Sequence, residues 1–299
     1  MKWLLAGASG FLGTALRVRL AGEGQEVVRL VRREPATSTE FQWDPDSGTV
    51  DAAAFDEVDV AVNLAGVPVA PLPWTESRRE QILSSRVNTT STIARGLAAQ
   101  TDDRRRTLIQ ASGIARYGTT SGSEPYTEAS PAAADYLAQV TTKWEAASQA
   151  AADAGVRVVV LRTSPVMDSS GGTFVPLKLA WLCGLGATLG DGSQRMPMIS
   201  LRDYVGVVQW AATTDHASGP YNLTLPQPTT NLEFSDALAA ELHRPRFLRV
   251  PTPIIRTALG ELAGQLVGDM YAVPERLTGD GFVFSDPTVA DLVASALRD

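Results

Sequence analysis

The chain has 299 residues, 44% of them hydrophobic and 20% charged, a balance that supports a large buried core and excludes an extended disordered protein. Its formal charge of −7 argues against nucleic acid or an anionic membrane surface as the main partner. With one cysteine, Cys183, no internal disulfide forms and a reducing cytoplasm fits; in the apolar run LKLAWLCGLG that cysteine is expected as a buried filler.

From the amino terminus, Lys2–Ala6 (KWLLA) is a short apolar run expected as a buried strand. Gly7-Ala8-Ser9-Gly10-Phe11-Leu12-Gly13 follows, and Thr14–Gly22 carries a helical period that puts Leu12, Leu16 and Leu20 on one face. Glu26–Val31 (EVVRLV) is a second, β-branched run. Strand, glycine turn, helix and strand make a mononucleotide-binding unit in which each glycine has its own task. Gly7 permits the tight turn, Gly10 lets backbone N–H groups near a pyrophosphate, and Gly13 lets the helix sit close to the strand. Ser9, Phe11 and Leu12 complete the loop, which faces the phosphates at the positive end of the helix. Arg32 and Arg33 follow the second strand, with no acid before Glu34. An NAD site places an acid there for the ribose 2′-hydroxyl, whereas guanidinium forks suit the 2′-phosphate of NADP(H). The alternative is a pair of solvated arginines at a strand end.

The G-x-x-G-F-L-G form of this loop resembles the short-chain dehydrogenase/reductase superfamily, in its extended, sugar-epimerase-like branch. The next expected strand, Val58–Leu64, ends in Asn63-Leu64-Ala65-Gly66, which resembles that superfamily's N-[AN]-A-G element. The resemblance implies that Leu64, Ala65 and Gly66 lie beside the adenine ribose. Between the two strands Phe41-Gln42-Trp43 reads as a short strand and Asp44–Gly48 as a turn. A Pro-rich loop, Val67–Thr75, precedes a helix expected over Glu76–Gln100 with Thr75 as N-cap. Asn63–Gly66, Trp74-Thr75-Glu76 and Ser85–Thr90 together resemble one subgroup, NAD-dependent epimerase/dehydratase family proteins with a short C-terminal domain of unknown function. Trp74 and Arg86 are candidates to face substrate, with Trp74 covering the helix start as the alternative.

Thr107–Ser112 is a further strand with Ala111 and Ser112 at its carboxyl end, and Ser112–Gly118 resembles the superfamily's S-S-x-x-V-Y-G element. The resemblance makes Ser112 the active-site hydroxyl. The superfamily's Y-x-x-x-K motif belongs on the next helix, expected over Pro131–Ala154. There Lys143 fits, but Gln139 stands where the tyrosine belongs, and Gln can neither donate nor accept a proton as a general acid or base. Tyr136 lies seven residues before Lys143 on the same stripe, with Tyr117 and a substrate-bound water as other proton carriers. Lys143 also suits the ribose hydroxyls of the nicotinamide half.

After the strand Gly155–Arg162, Ser164 and Val166 lie in a segment resembling the loop that flanks the nicotinamide in extended members. Arg195, in a Gly-rich loop, is a candidate anion contact. A helix is expected over Asn231–Leu242 with Asn231 as N-cap. His216 and His243 are expected at the surface, and no Cys/His cluster has metal spacing. Arg246–Asp299 resembles the subgroup's C-terminal domain. The expected fold is a doubly wound α/β Rossmann sheet of about seven parallel strands. Residues 1–165 form the dinucleotide-binding domain, and residues 166–299 are mostly a small substrate-capping lobe interleaved with the last strands. The resemblance implies an NADP(H)-binding oxidoreductase acting on a nucleotide sugar or another small oxygenated metabolite. The alternative is an NADP(H)-binding sensor without turnover. The expected partner is a small-molecule substrate, with no nucleic acid and no membrane, and the expected state is a monomer or homodimer.

Overall fold

The computed structural model describes residues 1–70, 73–119, 122–260 and 263–298. In chain order it runs β1 (Lys2–Ala6), α1 (Phe11–Gly22), β2 (Glu26–Val31), β3 (Glu40–Asp44), β4 (Thr49–Val50), β5 (Val60–Asn63), α2 (Glu76–Ala98) and β6 (Thr107–Gly113). Then come α3 (Tyr136–Ala146), α4 (Gln149–Asp153), β7 (Arg157–Thr163), β8 (Val166–Met167), α5 (Phe174–Leu182), β9 (Ala187–Leu189), β10 (Ile199–Ser200) and α6 (Leu201–Thr213). The chain closes with β11 (Gly219–Leu223), α7 (Asn231–Glu241), β12 (Leu248–Val250), α8 (Thr252–Leu259), α9 (Ala263–Val267), α10 (Glu275–Gly279) and α11 (Val289–Leu297).

Among the described residues the central sheet has eight strands in the order β11-β7-β6-β5-β1-β2-β3-β4. Pairing is parallel from β6 through β5, β1 and β2 to β3, and β4 folds back antiparallel on β3. Strand order reverses at β1, the place where an open α/β sheet forms its ligand crevice. The sheet is thus the expected mostly parallel one, extended by a hairpin whose Asp44–Gly48 turn the sequence signals. Parallel strands buried on both faces need apolar runs, and β1, most of β5 and the Leu108-Ile109 pair of β6 supply them, with Asn63 and Gln110 hydrogen-bonded to each other.

Contacts group the chain into two compact units. The first holds Met1–Ser112, Gln139–Leu161 and Val208–Pro220, and the second Gly113–Ala138, Arg162–Val207 and Tyr221–Asp299. In the first, Leu4, Ala6, Val28, Leu30, Phe55, Val58, Ile93 and Leu108 form a continuous core with α2 over the sheet. In the second, Phe174, Trp181, Met198, Phe234, Leu238 and Leu292 form another.

Several local expectations change. The helix read as continuous over Pro131–Ala154 begins at Tyr136 and breaks between Ala146 and Gln149. There the Ser148 hydroxyl donates to the Glu145 carbonyl, 2.7 Å away, and so competes with the helical ladder. α7 is capped by Thr230, which forms a reciprocal capping box with Glu233, and not by Asn231. The Asn231 side chain instead accepts from the Leu189 N–H. Cys183 is exposed, because α5 turns Phe174 and Trp181, with the partly buried Leu177, to the core, and Cys183 ends the helix two residues past Trp181 on the opposite side. His216 and His243 lie at the surface.

Candidate nucleotide site

β1 ends at Ala6, and the chain turns at Gly7, whose φ of +80° lies in the left-handed region that favours glycine. The Gly10 N–H donates to the Gly7 carbonyl at 3.1 Å, and the first helical bond runs from the Thr14 N–H to the Gly10 carbonyl. A Cβ on Gly13 would stand 2.2 Å from the Gly7 oxygen, so α1 is seated directly on the turn. No side chain caps α1 and no acid lies in its first turn, which leaves its leading N–H groups for an anion. Ser9 and Gly10 are exposed, while Phe11 and Leu12 are half-buried.

A cleft of about 520 Å³ opens at this edge, lined by Gly7, Ser9, Gly10, Leu64, Ala65 and Gly66, and by Arg29, Arg32, Arg33 and Glu40 at its far side. Its floor at the end of β5 is fixed by a buried polar network. The Asn63 amide donates to Thr90 at 3.0 Å and to Gln110 at 3.1 Å, and its oxygen accepts from the Ala65 N–H. The Trp144 indole also donates to Thr90.

The two arginines after β2 differ. Arg32 is exposed and makes no hydrogen bond or salt bridge among the described residues. Arg33 donates through both terminal nitrogens to Glu40, at 2.8 and 2.6 Å, and to the Glu34 carbonyl. The Glu40 side chain is only 1% exposed, and it also meets Arg29 at 2.9 Å and the Ala36 N–H. The Arg33 fork, followed by the Ala36 N–H, holds the Glu40 carboxyl down to about 2. A carboxyl depressed in the folded state adds stability above its unfolded value, near 4.5, and that stability drains away as pH falls from there toward 2. Acid unfolding of Glu40→Gln should therefore depend less on pH across that window than the parent's, and equal slopes would contradict the pairing.

At the carboxyl end of β6, Ala111 and Ser112 are buried, and the Ser112 hydroxyl donates to the Glu145 carboxylate at 2.7 Å. Lys143, two residues earlier on α3, is exposed, and its ammonium makes no hydrogen bond or salt bridge among the described residues. Sequence reading passed over both Glu145 and Glu40. Glu145 follows Lys143 and Trp144 closely, yet its partner is 33 residues away, and only the packing of α3 on β6 reveals it.

The remaining candidates fall elsewhere. Tyr136 opens α3, half-buried and two turns ahead of Lys143. Ser164 is buried and donates to the Leu223 carbonyl, and Val166 lies in β8, paired with β10; both belong to the second unit. Tyr117 is no ready proton carrier. It is 2% exposed, donates to Asn222 and accepts from Arg162, and burial pushes its phenol above the ordinary value. Arg195 is not an open anion contact either, because Asp269 takes its fork and Tyr271 stacks beneath it at 4.2 Å. The Trp74 indole donates to the Val69 carbonyl, and Arg86 packs over Trp144 at 5.0 Å. The Ser200 hydroxyl donates to the buried Asp286 carboxylate.

A parallel sheet with a glycine turn at its reversal point and a cleft along its carboxyl edge defines a Rossmann-type nucleotide-binding protein. The chain belongs to the NAD dependent epimerase/dehydratase family, which matches residues 3–224, and residues 250–297 match DUF1731, a domain of unknown function. It is 38% identical over 294 residues to an epimerase family protein of Mycobacterium bovis, covering 98% of this chain and 96% of that one. The mouse epimerase family protein SDR39U1 is 34% identical over 303 residues, covering 100% of this chain and 99% of its own. The crystal structure of human SDR39U1 (isoform 2) with NADPH matches with a TM-score of 0.89 at 30% identity over 99% of both chains. A nucleoside-diphosphate sugar epimerase from Corynebacterium glutamicum matches with a TM-score of 0.81 at 30% identity, over 99% of this chain and 58% of that one. Among the described residues no helix is long and apolar enough to cross a membrane.

Proposed function

We propose that this chain is an NADP(H)-dependent oxidoreductase of the epimerase type, acting on a nucleotide sugar or a similar small oxygenated metabolite. The observation that carries the reading is Arg32, an exposed guanidinium without a hydrogen-bond or ion-pair partner among the described residues, across one cleft from the uncapped start of α1. A nucleotide carrying a pyrophosphate and a 2′-phosphate has charge for both ends of that cleft. The human relative was crystallised with NADPH, and the Corynebacterium one is named for a nucleoside-diphosphate sugar, which supports both halves of the reading.

Bound NADP(H) supplies or accepts the hydride. The chain's own residues would orient the substrate and carry the proton. In alcohol oxidation the substrate proton passes to Ser112 Oγ as the Ser112 proton passes to Glu145, and in carbonyl reduction both transfers reverse. Lys143 would hold the ribose of the nicotinamide half. This route does without the tyrosine that Gln139 replaces.

Calorimetric titration of the chain with NADPH and NADH tests the reading. Arg32 should make NADPH bind at least about tenfold tighter, the equivalent of one charge-assisted hydrogen bond. Equal affinities would remove the phosphate reading and return the site to NAD. Gln139 favours a second reading, a nucleotide-binding sensor. NADPH binding without oxidation of the nucleotide across a panel of nucleotide sugars and small carbonyls would support it.

A further inference from the structure

We propose that Glu40 is a positioning residue for the 2′-phosphate of the nucleotide, gripping Arg33 by its outer fork so that the Nε edge of the same guanidinium forms a second phosphate contact beside Arg32. The inference rests on the NADP(H) reading and deepens it. A guanidinium has five N–H donors arranged in a fixed plane. In Arg33, Nη1 uses one on Glu40 Oε2 and one on the Glu34 carbonyl, and Nη2 uses one on Glu40 Oε1. The Nε–H and the second Nη2 hydrogen remain, side by side, and that pair is itself a bidentate edge of the kind that meets phosphate oxygens. The Arg33 side chain is 57% exposed although its partner is buried, so the held group still borders the cleft.

The register of the sheet explains why Glu40 can do this. Arg29 of β2 pairs directly with Glu40 of β3, which brings the carboxylate under the end of β2, and the Ala36 N–H ties the intervening loop to the same oxygen that Arg33 grips. Arg29 and Arg33 together outweigh the single charge of Glu40 and, with Arg32, whose charge also acts on Asp44, keep this end of the cleft net positive for a phosphate. A long side chain that is already immobilised loses little further rotamer freedom when its ligand arrives. In Glu40→Gln the amide offers one acceptor and one donor to a guanidinium that presents only donors, and the grip is lost.

The test is calorimetry of the full chain with NADPH and NADH, for the parent, Glu40→Gln and Arg33→Lys. Glu40→Gln should lose about tenfold in NADPH affinity with NADH affinity unchanged within about twofold, the equivalent of one charge-assisted hydrogen bond. Arg33→Lys should behave alike, because an ammonium keeps the charge but has no second edge. NADPH binding that is unchanged or tighter in Glu40→Gln would overturn the proposal, since the carboxylate would then only oppose the phosphate. Equal loss of both nucleotides would also overturn it, making Glu40 a strut of the fold. Should Glu40→Gln fail to fold, an unchanged NADPH preference in Arg33→Lys decides against two-edged use. A parent that does not prefer NADPH would instead remove the NADP(H) reading itself.

Discussion

Replacing Gly13 by alanine should destabilise the protein by about 3 kcal/mol and abolish nucleotide binding, whereas Gly10→Ala should leave stability nearly unchanged and weaken binding alone. The two glycines stand three residues apart in one loop, and the space around each decides the difference. A Cβ at Gly13 would lie 2.2 Å from the Gly7 oxygen, 2.8 Å from the Ala8 Cα and 2.9 Å from the Gly7 carbonyl carbon. All three are backbone atoms and cannot swing aside. Gly7 has little room to yield, because even a Cβ built on its own open side would meet Leu64 and Ala65 backbone atoms at 2.7 to 2.9 Å. Helix α1 must then lift from the turn, which separates Leu16 and Leu20 from the core they fill. At Gly10 the nearest atom to an added Cβ is 3.4 Å away and φ is −75°, so alanine fits the free protein. Its methyl would occupy the space through which a pyrophosphate approaches the leading N–H groups of α1. Thermal melts and NADPH titrations of the two variants check this, and equal stability losses would contradict the distinction.

The glycine spacing was legible because it reports a local backbone constraint: a turn, a phosphate approach and a close helix each demand glycine within seven residues. The same holds for Thr75, which accepts from the Arg78 N–H as a cap should, and for the apolar runs that became β1, β5 and β6. What escaped the sequence depends on contacts far along the chain. Glu40 looks like an ordinary charged residue near a turn until the register of β3 on β2 sets it against Arg29. Glu145 becomes noteworthy only when its helix delivers it to Ser112. Arg195 had the appearance of an open cation, and its partner Asp269 is 74 residues away. Cys183 misled in the other direction. An apolar run suggests burial, but α5 presents Val175, Leu179 and Leu182 outward, so hydrophobicity alone did not identify the buried face. The helix break after Ala146 turned on one hydroxyl bond at Ser148, a competition that propensity sums do not register.

Arg157→Met should cost roughly 3 kcal/mol or more in unfolding free energy while leaving nucleotide affinity unchanged, since hydrogen bonds from a charged donor contribute about 1.5–3 kcal/mol each and do not add fully. Arg157 opens β7, and its guanidinium donates to the carbonyls of Ala211, Thr214 and Ala217 through one terminal nitrogen and of Ala212 through the other, at 2.7 to 3.1 Å. These carbonyls include the last ones of α6, which have no helical N–H to accept from, and the negative end of the helix dipole falls on the same place. One side chain thus ties the exit of α6 and the loop behind it to the start of a central strand. Methionine keeps the packing of the stem but takes this donor from the carbonyls of the buried Ala211, Ala212 and Ala217, the costly side of the asymmetry between making and losing a hydrogen bond, while the Thr214 carbonyl keeps the Ala217 N–H. Arg157→Lys restores a charge but not the planar fork, and should recover about half of the loss. The site is spared because Arg157 lies at the amino end of β7, and the cleft opens at the carboxyl edge of the sheet, where β1 and β5 end. Urea unfolding midpoints of parent, Arg157→Met and Arg157→Lys, read beside NADPH titration, decide it. Weakened NADPH binding at unchanged stability would show that this end of the strand is coupled to the cleft and overturn the expected independence of the two.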